Sequence, residues 1–242
     1  MAIQSEPAPQ SNGLATVLNV CLAPRDAFST LREFPMWGWA FIIAAVLGLI
    51  GSLLVEPATL HAVQTGFTAQ MAHDRQFAQM TPDKQKQALA FASMIVRFGW
   101  CLVPVYLLLA ALVQTVIMLV ANAIGRGPGT FKQFWAAAMN ISVVTFGIAY
   151  LFTGLIAALR GPQSYDTTIA LTAALPSAAW VAPHAGPKAV ALLSAINPFS
   201  VWGVFLLATA LLVIARASRP LAYGTAIFII LFSGAFAALF AK

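Results

Sequence analysis

Three histidines, two cysteines and seven carboxylates are the side chains of this sequence that could ligate a metal, act as a nucleophile or move protons. Their spacing assembles none of those chemistries. His61, His73 and His184 show no metal-ligand spacing among themselves, and no Cys or Glu is placed to complete a site. A Walker loop, a Gly-x-Ser-x-Gly elbow and a His-Glu-x-x-His pair are all missing. Gly125-Arg126-Gly127-Pro128-Gly129-Thr130 is glycine-rich, but it joins two helical segments and lacks the phosphate-binding lysine pattern. A tight turn between spans is its expected role. With no acid–base or nucleophile pair in view, no enzyme, metal site or other cofactor is expected.

The polar residues inside apolar stretches are Gln114, Asn122, Asn140, Ser142, Thr145 and Thr153. Such side chains can hydrogen-bond between membrane helices, each pair worth about 1 kcal/mol. Gln114, Asn122 and Asn140 could also line a polar path, but bonding between helices is the more common role of such side chains. No Asp or Glu falls within these stretches, which argues against a carboxylate proton relay. Cys21 lies in a polar segment and Cys101 in an apolar one, so a disulfide is not expected. Leu18-Asn19-Val20-Cys21 is faintly like a lipoprotein cleavage box, but no apolar signal core precedes it. Neither lipidation nor a cleavable signal peptide is therefore expected.

The elements that carry these residues follow from composition. The 242-residue chain is 60% hydrophobic and only 8% charged, against about a quarter charged in soluble domains. Most of its outer surface must therefore face lipid. Its +6 net charge is scattered among apolar runs, with no basic stripe, so nucleic acid is not an expected partner. A membrane-crossing helix needs about 20 apolar residues. Five charge-free runs qualify: Phe34–Val55, Phe98–Gly125, Gln133–Leu159, Ala189–Ala215 and Leu221–Phe240. Trp37 and Trp39 are placed as interfacial anchors of the first run, and the second is expected to continue a helix starting near Lys86. Asn197-Pro198 marks the expected entrance of the fourth run. The resulting spans are about 36–55, 95–124, 133–159, 197–216 and 220–240. A sixth stretch, Thr167–Pro187, contains Pro176, Pro183 and Pro187, which would break the backbone ladder in lipid. It is expected to be an irregular loop at the interface, with one helical turn or two.

Basic residues in short loops orient the spans. With the N-terminus inside, the inner face carries Arg25 and Arg32, then Arg126 and Lys132, then Arg216 and Arg219. The opposite face carries Arg75, Lys84, Lys86, Arg97, Arg160, Lys188 and Lys242 over much longer segments. Charge density thus predicts N-terminus in and C-terminus out, with Arg126, Lys132, Arg216 and Arg219 available to lipid headgroups.

Residues 1–35 read as an amphipathic N-terminal segment and 36–242 as the membrane domain. Leu14, Val17, Leu18, Cys21 and Leu22 share helical spacing on one face, and Asp26–Leu31 follows Pro24 as a second short helix. Such short helices are marginal alone in water, so they lie on the inner leaflet or cap the bundle. Between the first two spans, Glu56–Arg97 begins with an imperfect amphipathic pattern at Leu60, Val63, Phe67, Met71 and Phe77. Thr81-Pro82-Asp83 then supplies an N-cap, a first-turn proline and a first-turn acid. A helical hairpin projecting outward is expected. Ala44, Gly48 and Gly51 form a small-residue face suited to close helix packing.

Three segments, taken in order, resemble the Yip1 family of membrane proteins in its bacterial form. Leu22-Ala23-Pro24-Arg25-Asp26-Ala27-Phe28, with Leu31, Pro35 and Trp37, is similar to the family's pre-membrane stretch. Gly127-Pro128-Gly129-Thr130-Phe131-Lys132-Gln133 resembles its turn between spans two and three. Ile196-Asn197-Pro198-Phe199-Ser200-Val201-Trp202 resembles the entrance to its fourth span, with Asn-Pro in place of the usual acidic-apolar pair. The resemblance implies an all-helical five-span bundle in a bacterial cytoplasmic membrane, N-terminus in. The trafficking role and small-GTPase contacts of eukaryotic relatives do not transfer, because their longer motifs are absent.

Two functions remain open from the sequence. One is a non-catalytic scaffold or accessory subunit that organises membrane lipids or a partner membrane complex, homo-oligomers included. The other is a transporter or permease component for an apolar or lipid-like substrate.

Overall fold

In a computed structural model, residues 12–73, 79–182 and 184–241 are described. Arg75, Phe77, Pro183 and Lys242 lie outside them, as do the side chains of Met71 and His73. Among the described residues the chain is helical, with no strand. It is a polytopic membrane bundle. Four helices are long and apolar enough to cross a membrane, and a bent helix pair makes a fifth span if counted as one.

The chain begins with α1 (Gly13–Leu22), capped by the Asn12 side chain, and α2 (Pro24–Glu33), started by Pro24. The first span is part of α3, an unbroken helix over Gly38–His73 with Pro57 inside it. Its 36 residues extend about 54 Å against about 30 Å of hydrocarbon, an excess of about 24 Å or roughly 16 residues. The sequence pattern placed the end of this span at Val55, but the helix runs on through Glu56 and Pro57. Ala58 and Ala62 are buried there against Ala157, Tyr165, Leu171 and Ala174, and this packing outweighs the single backbone bond that Pro57 removes.

The returning arm, α4 (Pro82–Phe98), starts on extended Thr81 with Pro82 at the first helical position. A 3-10 turn over Gly99–Leu102 joins it to α5 (Val103–Ile124). These two arms, α3 and α4, form the projecting hairpin. The third span combines α6 (Phe131–Ser142), a π-helical segment over Val143–Ile148 and α7 (Ala149–Arg160). The 167–187 stretch is irregular, holding α8 (Thr168–Thr172) and a 3-10 turn at Ala178–Val181.

The stretch expected as the fourth span is a bent helix pair. α9 (Pro187–Ser194) meets α10 (Pro198–Ile214) at 51°. Asn197 fixes the break. Its side chain accepts from the Phe199 and Ser200 amides, and the Ser200 hydroxyl accepts from the Asn197 amide. This capping box sits just before Pro198, which cannot continue a helix from the preceding turn. α11 (Arg219–Phe240) completes the bundle.

Packing depends on small residues, because lipid offers no hydrophobic gain for helix association. At the α3–α7 crossing, a side chain added to Gly51 would strike the Tyr150 carbonyl, and one added to Gly154 would meet Leu54. The main core joins α2, α5, α6, α10 and α11 around Phe28, Leu31, Phe134, Leu206 and Leu211. Outside it, Val105, Leu109 and Val120 of α5 and Ile227, Leu231 and Phe236 of α11 remain exposed. An apolar exterior of this extent suits lipid and not water.

Candidate membrane-surface site

Two short turns meet at one end of the bundle. Residues 125–130 link α5 to α6, and 215–218 link α10 to α11. α5 closes with the Arg126 amide donating to Ala123 O at 3.1 Å and the Gly127 amide donating to Asn122 O at 2.8 Å. This wrap requires left-handed backbone at the residue beyond the cap, usually glycine. Here it is Arg126, at φ 51°, and Arg216 holds the same φ after α10. Gly127 allows the turns to touch, since a side chain there would collide with the Ala215 carbonyl and Asn122 Oδ1. Asn122 locks the arrangement: its Oδ1 accepts from the Gly129 amide at 3.0 Å and its Nδ2 donates to Gly129 O at 3.2 Å.

The N-terminal helices are tied to the same end. Gln133 completes a capping box with Thr130, and its Nε2 donates to Arg32 O at 2.6 Å. Asn140, almost fully buried, donates from Nδ2 to Met36 O at 3.0 Å and to Ala136 O at 2.8 Å. Its Oδ1 is buried without a partner among the described residues. Asn122 and Asn140 thus each bind backbone at a junction. Gln114 is half-buried on α5 and makes no hydrogen bond among the described residues.

The two faces of α1 differ. Thr16, Val17 and Val20 are buried in the bundle, whereas Leu14, Leu18 and Leu22 are exposed. The apolar face expected from spacing is therefore divided between protein and exterior. Burial pushes the Cys21 thiol above its ordinary pKa. Close by, Trp37 and Trp135 meet edge to face at 6.0 Å, and Phe131 stacks on Trp135. Arg126, Lys132, Arg216 and Arg219 are all exposed, and among the described residues none is ion-paired. The end therefore combines free cations, interfacial aromatics and exposed leucines.

The loop after α7 packs on the projecting part of α3. Thr65 donates to Asp166 O at 2.6 Å, His61 Nε2 lies 3.6 Å from Asp166 Oδ1, and the Arg160 guanidinium sits over the Trp180 ring. Sequence spacing gave no signal for these pairs; Asp166 lies about a hundred residues from Thr65 and His61. Among the described residues, no group of three or more His, Cys, Asp or Glu could hold a metal ion. In comparisons with known proteins, no family model, curated protein or solved structure matches the chain.

Proposed function

We propose that this protein is a non-catalytic membrane scaffold or accessory subunit that organises lipids or a partner membrane complex. The observation that carries the reading is the cation-rich end, where Arg126, Lys132, Arg216 and Arg219 stand exposed, together with the exposed Leu14, Leu18 and Leu22 of α1. Basic residues there attract anionic headgroups, and an amphipathic helix held parallel to the surface inserts its apolar face between them. Asn122 and Asn140 are occupied in holding turns together, which favours a fixed platform over a polar path. In this proposal the cation-rich end faces the cytoplasm of a bacterial cell, with the C-terminus outside. Kinship to the Yip1 family belongs to the same proposal and rests on the order of the three resembling segments.

A second reading, a permease component for an apolar or lipid-like substrate, draws on the π-helical segment at Val143–Ile148 and the 51° break before Pro198. Irregular backbone within spans often marks moving parts.

One experiment separates the two. Crosslinking in native membranes followed by gentle purification is expected to recover enriched anionic lipids or a stoichiometric membrane partner. The purified protein in sealed liposomes is expected to move no solute. Solute uptake by the protein alone would end the scaffold reading.

A further inference from the structure

Beside the touching turns, α5 and α11 enclose a shallow apolar groove of about 320 Å³, lined by Ile117, Val120, Ile124, Leu221, Gly224 and Phe228. From Ile117 to Ile124 it runs roughly 10 Å along the helix. Gly224 leaves it open, since a Cβ added there would meet nothing within 4 Å. Exposed apolar side chains surround it, so in a bilayer it faces acyl chains.

Arginines adjoin one end of this groove along the chain. Pro220 and Ile124 line it, and Arg219 and Gly125-Arg126 directly continue the chain from those positions. Gly125 lies against Leu221 and Gly127 against the Ala215 carbonyl, so Arg126, Arg216 and Arg219 leave two turns in contact. α5, α6, α10 and α11 contain no Asp or Glu, and the carboxylates at this end, Asp26 and Glu33 on α2, make no ion pair among the described residues. Two of the three arginines occupy left-handed backbone that glycine would adopt more easily. Glycine would serve the turns alone. Charged side chains at both positions point to a ligand.

We infer that this corner holds one anionic phospholipid, its phosphate on Arg126, Arg216 and Arg219 and one acyl chain in the α5–α11 groove. The inference deepens the scaffold proposal and rests on it.

Native mass spectrometry of the full chain, released from nanodiscs of equal parts phosphatidylglycerol and phosphatidylcholine, tests it. The wild type is expected to retain phosphatidylglycerol selectively. Arg126→Gly and Arg219→Gln are each expected to lower that retention about fivefold, the effect of one basic residue at an anionic surface. Gly224→Phe fills the groove and is expected to lower retention of lipid generally. Arg126→Gly suits the turn and Gly224→Phe enters open space, so both variants should keep the wild-type elution profile. Val181→Ser, at an exposed position on the turn at the opposite end of the bundle, is expected to leave retention unchanged. Equal retention of the two lipids, or phosphatidylglycerol retention that survives both Arg126→Gly and Gly224→Phe, would overturn the site. Solute movement in the liposome experiment would instead overturn the scaffold reading, so the two failures are distinguishable.

Discussion

Arg126 and Arg216 each hold a conformation that costs an L-residue about 1–2 kcal/mol relative to right-handed backbone. Replacing either with glycine relieves that cost, offset in part by the greater freedom glycine has in the unfolded chain. Arg126→Gly should therefore be neutral or stabilising, by up to about 1 kcal/mol, in thermal unfolding in detergent. A clear loss of stability would mean that the guanidinium holds the protein together. Asn140 supports a separate test. Asn140→Ala removes the bond to Met36 O, so α1 and α2 should separate from the bundle more often. The reporter is Cys21. Its thiol is pushed up by burial, so the docked state holds little of the reactive thiolate at neutral pH. In a Cys101→Ser background, maleimide labelling of Cys21 should quicken as pH rises, and quicken again with Asn140→Ala. An unchanged rate would place the clamp elsewhere. At this scale the sequence was informative about residue types and silent about partners. Asn122 and Asn140 were legible as polar groups needing bonds, but both bond to backbone, which no side-chain pattern reveals. The left-handed arginines were illegible for a simpler reason: arginine carries no signal for positive φ.

Helices were easier to read than the bends within them. Thr81-Pro82-Asp83 and Asn197-Pro198 mark helix starts because a first-turn proline and, at Asn197, a capping side chain act locally; the Thr81 side chain makes no capping bond. The continuation of α3 through Pro57 was not legible, because it depends on Ala58 and Ala62 meeting residues about a hundred positions away. The π-helical segment in the third span has no marker in its sequence, Val143–Ile148. Its surroundings supply a cause at the level of packing: Phe146 fills the space beside Gly48, and Thr145 lies against Gly203. The Ala44, Gly48 and Gly51 face was visible from spacing, and α3 uses it against the third span. Gly51→Leu should force α3 from α7, because the Tyr150 carbonyl lies where the side chain would go. A loss of about 1–3 kcal/mol, typical of overpacking, is expected in a thermal melt, with a shift toward aggregation on size exclusion. Full retention of the melting temperature would contradict the close crossing.

The whole molecule has two unlike ends. One joins α1 and α2 to the two arginine-bearing turns, and the other stacks a proline-rich loop on the projecting hairpin. Composition made the membrane bundle legible, since 8% charge cannot clothe a chain of this size in water. Four spans were countable for the same reason; the stretch counted as the fourth in order is a bent pair whose second helix alone is only 17 residues. That α1 and α2 share a core with α5, α6, α10 and α11 was not legible, because a short amphipathic helix has the same pattern on lipid as on protein. The claim that most needs testing is that anionic lipid gathers at the cation-rich end. Trp37, Trp39 and Trp135 lie there, so Trp100, Trp180 and Trp202 can be replaced with phenylalanine and the remaining fluorescence followed in proteoliposomes. Brominated phosphatidylglycerol should quench it more strongly than brominated phosphatidylcholine at equal content, and Arg126→Gly with Arg219→Gln should narrow the difference. Equal quenching by the two lipids would contradict the claim.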